Sequence, residues 1–390
     1  MYKVRTYNQI SSKGLDRFSR ESYEIASEFA QPDAFMLRSH KLHGEEIPDS
    51  LVAIARAGAG VNNIPVADYS AQGVVVFNTP GANANAVKEL VAASLLLGSR
   101  DIIGGINYAQ SLTDMSDAGE MSKLLEKEKK RFAGSELQGK TLGVVGLGAI
   151  GANVANMALE LGMNVIGYDP AISVEAAWRL SSEIGKMDNL QSLLAGADYV
   201  TLHVPAIEAT RHMINAEALR CFKPGAKLLN FAREEIVDTA ALVAALDDKQ
   251  LGGYIADFPT PALLGRDDVI LTPHIGASTQ EAEENCAIMA ADQLMEFLQN
   301  GNIKNSVNFP PIAMARSAGY RITFSNDNVP KVLGNVLSIL ADSDNNVIDL
   351  VNKSRNDIAY NIIDVEQQPS EDVVAAIAAV DGVIRLRVLS

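Results

Sequence analysis

A chain of 390 residues is longer than one hydrophobic core usually supports, about 250–300 residues, so two or three domains are expected. Its 47% of hydrophobic and 21% of charged residues exclude a largely disordered chain. The net charge of −15 argues against a nucleic-acid partner, and only two cysteines leave no disulfide framework or thiol metal cluster.

The first hundred residues alternate short apolar runs with turns and helix-like stretches. No run approaches the ~20 apolar residues of a membrane-spanning helix, and the first residues lack the apolar core of a signal peptide. We therefore expect a cytoplasmic protein with no membrane partner. Four apolar runs predict buried strands of an open parallel sheet, at residues 3–7, 34–37, 51–57 and 74–77. Residues 85–99 then predict a long helix, and the charged residues 126–131 an exposed surface element.

A second alternating region runs from about residue 141 to residue 275. Six apolar runs, mostly separated by helical stretches, are typical of a doubly wound parallel sheet. They lie at residues 141–145, 164–168, 199–204, 227–231, 253–257 and 269–271. A long helix at residues 282–298 follows, and Asn300-Gly301 is a usual helix end.

The last seventy residues have a different pattern. The connector at residues 309–311 contains two prolines, cannot continue a helix and marks a domain boundary. Beyond it, predicted strands at 321–324, 347–352, 359–365 and 384–389 alternate with helices at 331–340 and 371–379. This β-α-β-β-α-β order is that of the ferredoxin-like fold.

The strand at residues 141–145 leads directly into a glycine pattern typical of dinucleotide sites. Gly146 permits a tight turn, Gly148 lets the backbone approach a pyrophosphate, and Gly151 lets the next helix pack on the strand. The pyrophosphate would lie on the free N–H groups that begin this helix. The next strand ends in Asp169, whose carboxylate can bind ribose hydroxyls and repels a 2′-phosphate. The pattern predicts an NAD site and disfavours NADP.

Two polar segments follow later strands of the same region. Arg233 comes after the strand at 227–231, and His274 after the strand at 269–271. Because ligands bind at the carboxyl ends of parallel strands, we expect both side chains to face the nicotinamide. Arg233 can bind a carboxylate through two parallel hydrogen bonds, and His274 can exchange a proton near neutral pH. Hydride transfer on a 2-hydroxy acid needs both functions, whereas the other four histidines are expected to be structural or exposed.

In combination these motifs resemble the D-2-hydroxyacid dehydrogenases over nearly the whole chain. The resemblance rests on residues 56–63 and 78–83, the glycine pattern, and residues 230–233 and 273–278. It implies an α/β protein with two doubly wound parallel-sheet domains: a Rossmann nucleotide domain at 98–281 and a flavodoxin-like substrate domain at 1–97, completed by the helix at 282–300. It also implies that the ferredoxin-like unit at 318–390 is an amino-acid-binding ACT domain.

The resemblance also assigns site residues outside the glycine pattern. Asp257 would hold the nicotinamide carboxamide. A phosphate on the substrate is expected to meet Arg56, which precedes glycines such as Gly58 whose N–H groups can form an anion nest. Asn83 would lie in this substrate site; Lys88 would add a second positive charge or is an ordinary surface lysine. Further cofactor contacts would come from Thr79, Ala149, Ile150, Val204, Phe231, Ala232, Ile275, Gly276 and Ala277.

In the ACT domain the resemblance places L-serine between paired modules, at Asn328 and Asn346. An amide can both donate to a carboxylate and accept from an ammonium group. The glycine usual after the proline of this loop is Lys331 here. The alternative is a dimerisation module without a ligand. Edge strands of such modules commonly pair across a two-fold axis, so a homodimer or homotetramer is expected.

One departure from the family concerns the partner of His274. The family histidine is normally paired with a glutamate shortly after the aspartate that matches Asp257, but no glutamate lies between Asp257 and His274. Asp267 and Asp268 lie in this interval, and no pattern directs either towards the imidazole. Our hypothesis is that His274 acts as a base without a carboxylate partner of the family type.

Together with these features, the resemblance implies an NAD-dependent enzyme that oxidises 3-phospho-D-glycerate to 3-phosphohydroxypyruvate, the first step of L-serine synthesis. The resemblance, and not the spacing of residues, supplies the phosphate of the substrate. One alternative is a glyoxylate or hydroxypyruvate reductase, although such relatives usually lack the terminal module. Another is an NAD(H)-sensing binding protein with incidental activity, which only the missing glutamate favours.

Overall fold

A computed structural model describes residues 1–389 of the chain, which divides into two compact units. The terminal unit contains residues 1–83 together with the residues from 280 onward, and the central unit contains Ala84–Thr279. Within the described residues, no helix combines the length and apolar character needed to cross a membrane.

Sixteen strands and thirteen α-helices are numbered here in chain order. The strands are β1 Tyr2–Thr6, β2 Tyr23–Ala26, β3 Ala34–Leu37, β4 Ala53–Arg56, β5 Val75–Phe77, β6 Thr141–Val145, β7 Asn164–Tyr168, β8 Gly185–Lys186, β9 Tyr199–Leu202, β10 Ala226–Asn230, β11 Leu251–Ala256, β12 Val269–Leu271, β13 Tyr320–Asp327, β14 Val347–Arg355, β15 Ile358–Val365 and β16 Val383–Leu389. The helices are α1 Ser12–Leu15, α2 Val66–Ala71, α3 Ala84–Ser99, α4 Ile102–Ser111, α5 Ala118–Glu128, α6 Ala149–Glu160, α7 Val174–Ala177, α8 Leu190–Gly196, α9 Ala216–Arg220, α10 Thr239–Asp247, α11 Gln280–Asn300, α12 Val332–Asp342 and α13 Glu371–Ala378.

The first sheet of the terminal unit has the strand order β2-β1-β3-β4-β5, with all neighbours parallel. This is the flavodoxin-like order, as predicted for the substrate domain. Helix α11 packs against this sheet: the small and apolar residues of the helix lie in the same buried cluster as residues of the strands. That cluster includes Val4, Met36, Ala287, Ala290 and Leu294.

The central unit contains a seven-stranded parallel sheet in the order β12-β11-β10-β9-β6-β7-β8. Its strands form the doubly wound pattern predicted for the nucleotide domain, with one further strand at the β12 edge. The order reverses between β6 and β9, and their carboxyl ends therefore form the switch point where ligands bind in such sheets.

The ferredoxin-like prediction for the C-terminal residues is confirmed, since an antiparallel sheet has the order β14-β15-β13-β16. We call this sheet and its two helices the terminal module. Its helices cover one sheet face, where Phe324, Val336 and Ile377 are buried together. The other face joins the core of the terminal unit, because Tyr360 and Ile362 lie in the same buried cluster as α11.

A fully buried arginine fixes the terminal module to the chain that precedes it. Arg321 of β13 donates through Nε and Nη2 to the carboxylate of Asp364, at 2.6 and 2.8 Å. Its remaining N–H groups donate to the carbonyl oxygens of Asn300, Met314 and Ala315. All five guanidinium donors are thus satisfied, and they join the end of α11, the segment at residues 314–315 and the module.

The division between the units falls at residue 83, whereas the sequence placed the domain boundary after residue 97. Helix α3 belongs to the central unit because its Val87, Val91 and Leu95 are buried in one cluster with strand residues of that unit. Gly98 also lies against Ile255 of β11. The apolar pattern of α3 shows that the helix is buried, but not which sheet it covers.

Candidate active site

The three glycines of the turn between β6 and α6 have different surroundings. Gly146 adopts a φ of +89°, and its N–H donates to the carbonyl of Tyr168 at 2.9 Å. A side chain at Gly151 would overlap the carbonyl oxygen of Gly146. At Gly148, by contrast, an added Cβ would meet no heavy atom within 4 Å. Two glycines therefore make the turn and its packing, and the third leaves open space at the start of α6.

Asp169 ties the end of β7 to this turn. Its Oδ2 accepts from the N–H of Leu147 at 2.8 Å, and its Oδ1 accepts from the N–H of Ala171 at 2.9 Å. A carboxylate has about four acceptor positions, so about two have no partner among the described residues. Helix α6 begins at Ala149 without a side-chain cap, which leaves its first N–H groups for an anion. The turn, the helix start and the carboxylate fit a dinucleotide.

The segment that carries Arg233 is shaped by the buried amide of Asn230. The Asn230 Nδ2 donates to the carbonyl of Arg233 at 2.9 Å, and its Oδ1 accepts from the N–H of Ala232 at 3.1 Å. These bonds close a tight turn after β10 and leave the guanidinium of Arg233 half-buried. Its Nη1 donates to the carbonyl of Ala232, and the other donors have no partner among the described residues. They are available to a carboxylate.

His274 follows β12 in a left-handed backbone conformation, with a φ of +58°. Its N–H donates to the carbonyls of Asp257 and Thr272, both at 3.0 Å. The imidazole is exposed and has no hydrogen-bond or ion-pair partner within residues 1–389. Asp268 is not such a partner, since it binds Arg266 at 2.9 Å. The ring instead lies 4.9 Å from the ring of Phe258, centroid to centroid.

Asp257 holds the loop on which His274 lies. The carboxylate is buried and accepts from Thr272 Oγ1 and from the N–H groups of Ile275 and Gly276, at 2.7 to 2.8 Å. Three of its roughly four acceptor positions are therefore occupied by the loop, and one has no partner among the described residues. The predicted cofactor contact thus has a structural function that spacing did not indicate.

The other predicted cofactor residues of the central unit lie around these elements. Val204, after β9, packs beside Gly146, and Ile150 lies in the first turn of α6. Phe231 and Ala232 are buried, while Ile275 is exposed beside His274. The described residues contain no group of three or more histidine, cysteine or acidic side chains placed to hold a metal.

In the terminal unit, Arg56 ends β4 next to Arg38, which follows β3. The Arg56 Nε donates to the carbonyl of Arg38 at 3.0 Å, and Arg38 pairs with Glu283 at 2.7 Å. Burial raises the pKa of the nearby Cys286 thiol, and the charges of Arg56 and Arg38 act in the opposite direction. The sequence analysis missed Arg38, although it follows a strand just as Arg56 ends one.

The remaining predicted substrate residues are divided between the units. A side chain at Gly58 would overlap the guanidinium of Arg56, which would then have to shift. Asn83 is the last residue of the terminal unit, and its Oδ1 is shielded without a partner. Lys88 lies on α3 of the central unit and donates to Asn85 at 2.6 Å. Thr79, predicted to contact the cofactor, is fully buried.

The two predicted effector residues are at opposite ends of the sheet of the terminal module. Asn328 follows β13 and donates to the carbonyl of Asn356, whereas Asn346 precedes β14 and donates to Glu366. The strand length between these ends is roughly 23 Å, so one chain does not bring them together. Lys331 has a φ of +79°, a conformation that favours the glycine expected there.

The reversal point of the central sheet, the glycine turn and Asp169 define the class of protein, an NAD-binding oxidoreductase. Consistent with this class, the family described as D-isomer specific 2-hydroxyacid dehydrogenase, NAD binding domain, matches residues 106–276.

Curated relatives identify the branch of this class. Over 355 residues the chain is 35% identical to the D-3-phosphoglycerate dehydrogenase of Escherichia coli K12. The aligned region covers 87% of this chain and 82% of that protein. It is 38% identical over 329 residues to the enzyme of that name from Synechocystis sp., covering 80% of this chain but only 56% of the relative. The chain belongs to the D-3-phosphoglycerate dehydrogenase family.

A solved structure supports this assignment. The NAD⁺-bound 3-phosphoglycerate dehydrogenase of Entamoeba histolytica is 26% identical and superimposes with a TM-score of 0.61. The match covers 79% of this chain and 98% of that one.

Proposed function

We propose that this protein oxidises 3-phospho-D-glycerate to 3-phosphohydroxypyruvate with NAD, the first step of L-serine synthesis. One observation carries the proposal: Arg233 and His274 lie beside the same ring, Phe258, in the unit that contains the glycine turn. The relatives named D-3-phosphoglycerate dehydrogenase supply the identity of the substrate.

Each catalytic side chain performs one task in this reaction. Arg233 donates parallel hydrogen bonds to the substrate carboxylate, and its charge polarises the adjacent reacting oxygen. The free imidazole of His274 accepts the hydroxyl proton. NAD bound in the central unit would supply the acceptor for the hydride that leaves C2. Loss of one proton and one hydride converts the alcohol into the ketone, so atoms and charge balance.

The central unit supplies the residues for NAD. Gly148 and the uncapped start of α6 accommodate the pyrophosphate, and Asp169 binds the ribose and repels a 2′-phosphate. Asp257 offers its remaining acceptor position to the carboxamide. Val204, Ile150 and Ile275 complete the contacts that we propose.

The substrate phosphate is assigned to the arginines of the terminal unit. Arg56 ends β4, Arg38 follows the neighbouring β3, and the Arg56 Nε lies 3.0 Å from the Arg38 carbonyl oxygen; two arginines at adjacent strand ends suit a dianion. This pair favours a phosphorylated substrate over glyoxylate or hydroxypyruvate, which carry no phosphate. An NAD(H)-sensing protein without turnover has no need of either arginine.

We also assign the terminal module to the ACT domains and propose L-serine as its effector. Asn328 and Asn346 are at opposite ends of one sheet, so a ligand that touches both needs two copies of the module. This proposal includes a homodimer or homotetramer in the cytoplasm.

The test is the absorbance of NADH during turnover. The purified protein should reduce NAD with 3-phospho-D-glycerate and should use NADP poorly. In Arg38→Gln and Arg56→Gln, KM for phosphoglycerate should rise about tenfold or more, while KM for NAD stays within about twofold. Faster oxidation of NADH with glyoxylate or hydroxypyruvate would favour the reductase. NAD binding without turnover of phosphoglycerate, hydroxypyruvate or 2-oxoglutarate would favour the sensor.

A further inference from the structure

One aromatic ring contacts both candidate catalytic side chains. The Phe258 and His274 rings are 4.9 Å apart between centroids, with an angle of 60° between their planes. On the same phenylalanine, the Cζ of Arg233 lies 5.7 Å from the ring centroid. Both distances are within the range of aromatic and cation–π attraction. Phe258 is half-buried and directly follows Asp257.

The backbone of His274 is fixed, but no polar group fixes its ring. Asp257 holds the loop through its carboxylate and its carbonyl oxygen. The imidazole nitrogens, in contrast, have no hydrogen-bond partner in the described part of the chain. In a histidine with a carboxylate partner, that partner sets the ring orientation. Here Phe258 is the ring neighbour that can restrict rotation of the imidazole about its side-chain torsions.

The same contact acts on charge. When His274 accepts the hydroxyl proton, its ring becomes a cation beside the electron-rich Phe258. Arg233 is already a cation near that ring. A leucine of similar volume would preserve the packing but would lack both the flat contact surface and the attraction to cations.

We propose that Phe258 is a positioning residue that orients His274 and Arg233 and takes the place of a carboxylate partner. This inference rests on the proposed function. Phe258 itself exchanges no proton and binds no substrate atom.

The variants Phe258→Leu and Phe258→Tyr test this role. In Phe258→Leu, kcat with phosphoglycerate should fall about tenfold or more, with KM for NAD within about twofold, because a misplaced base slows proton transfer. The pH at which kcat/KM reaches half its maximum should also move. Phe258→Tyr retains the ring and should keep most of the activity.

Phe132→Leu is the matched control. Phe132 is also half-buried in the central unit, has an arginine near its ring and lies 5.5 Å from the ring of Tyr108. Its replacement should leave kcat and the pH profile unchanged. If Phe258→Leu behaves like Phe132→Leu, or if Phe258→Tyr loses as much activity as Phe258→Leu, the proposal is wrong.

A second readout does not depend on turnover. The ring-proton NMR signal of His274, identified by its loss in His274→Gln, should carry a ring-current shift that disappears in Phe258→Leu. An unchanged signal overturns the contact itself. If wild-type protein shows the shift but oxidises no 2-hydroxy acid, the proposed function fails while the contact stands.

Discussion

His203 is half-buried, and its backbone lies against Gly146 of the glycine turn. Its Nε2 lies 2.9 Å from Thr201 Oγ1, its Nδ1 is shielded without a partner, and burial lowers its pKa to about 3. Between this value and about 6.5 the unfolded chain binds a proton that the folded chain does not, so stability falls as the pH falls. From pH 7 to pH 5 this group should remove about 1–2 kcal/mol from the free energy of unfolding. In His203→Gln, urea unfolding at both pH values should show a smaller loss.

The exposed His212 provides the control for this measurement. His212→Gln should keep the full loss of stability between pH 7 and pH 5, even if its left-handed backbone makes it less stable at both. A His203→Gln variant as sensitive to acid as the wild type would contradict a neutral His203.

The position of a residue after a strand was enough to predict candidate catalytic residues from the sequence, but the contacts of those residues could not be predicted. Arg233 and His274 could be selected because ligands gather at the carboxyl ends of strands. The roles of Asn230, Phe258 and Arg38 depend on side-chain contacts that form only in the folded chain, and the sequence does not show these contacts. Similarly, the family resemblance predicted a cofactor contact at Asp257 and gave no sign that its carboxylate anchors the loop of His274.

Substitution of Gly148 and of Gly151, at the start of helix α6, should have different effects on the protein. In Gly151→Ala the new methyl group would overlap the Gly146 carbonyl, so the helix must move and the melting temperature should fall. In Gly148→Ala the methyl group meets no protein atom, and the fold should keep its melting temperature. Since that methyl lies where we place the pyrophosphate, the Kd for NADH should rise about tenfold or more.

Thermal unfolding and titration of NADH fluorescence separate the two effects. If Gly148→Ala binds NADH as tightly as the wild type, the open space at the start of α6 does not hold the pyrophosphate.

Most elements could be predicted because apolar periodicity records burial. The strands β3, β6, β7 and β12 have the predicted bounds, and α3 and α11 differ from prediction by one or two residues at an end. The missed strands, β2 and β8, lie at the edges of their sheets and are short, so few of their residues are buried. The sequence assigned α3 to the N-terminal domain, whereas the structure has it in the central unit. The apolar face of a helix shows that the helix is buried, but not which sheet it packs against.

For the whole terminal unit, Arg321 is a buried link between the C-terminal module and the end of α11, and within the module it pairs with Asp364. Although burial alone would raise the pKa of Asp364, hydrogen bonds from Arg321 and Ser317 hold it below its ordinary value. Arg321→Leu leaves a buried carboxylate without its partner and should cost about 3–5 kcal/mol of unfolding free energy. In Arg321→Leu/Asp364→Leu the loss should be clearly smaller than the sum of the single losses. Urea unfolding of the four proteins measures this coupling.

The exposed pair Arg17–Asp292 serves for comparison, because solvent screens its attraction and Arg17→Leu should leave the free energy of unfolding nearly unchanged. Additive losses at Arg321 and Asp364 would show that the two side chains act independently.

The discontinuity of the terminal unit has a consequence for biosynthesis. Its first sheet is translated by residue 83, but α11, which buries one face of that sheet, ends only at residue 300. All of the central unit leaves the ribosome in between and can fold first. During that interval the nascent N-terminal segment exposes the apolar sheet face that α11 later covers. This face is a binding site for a chaperone until α11 has been synthesised.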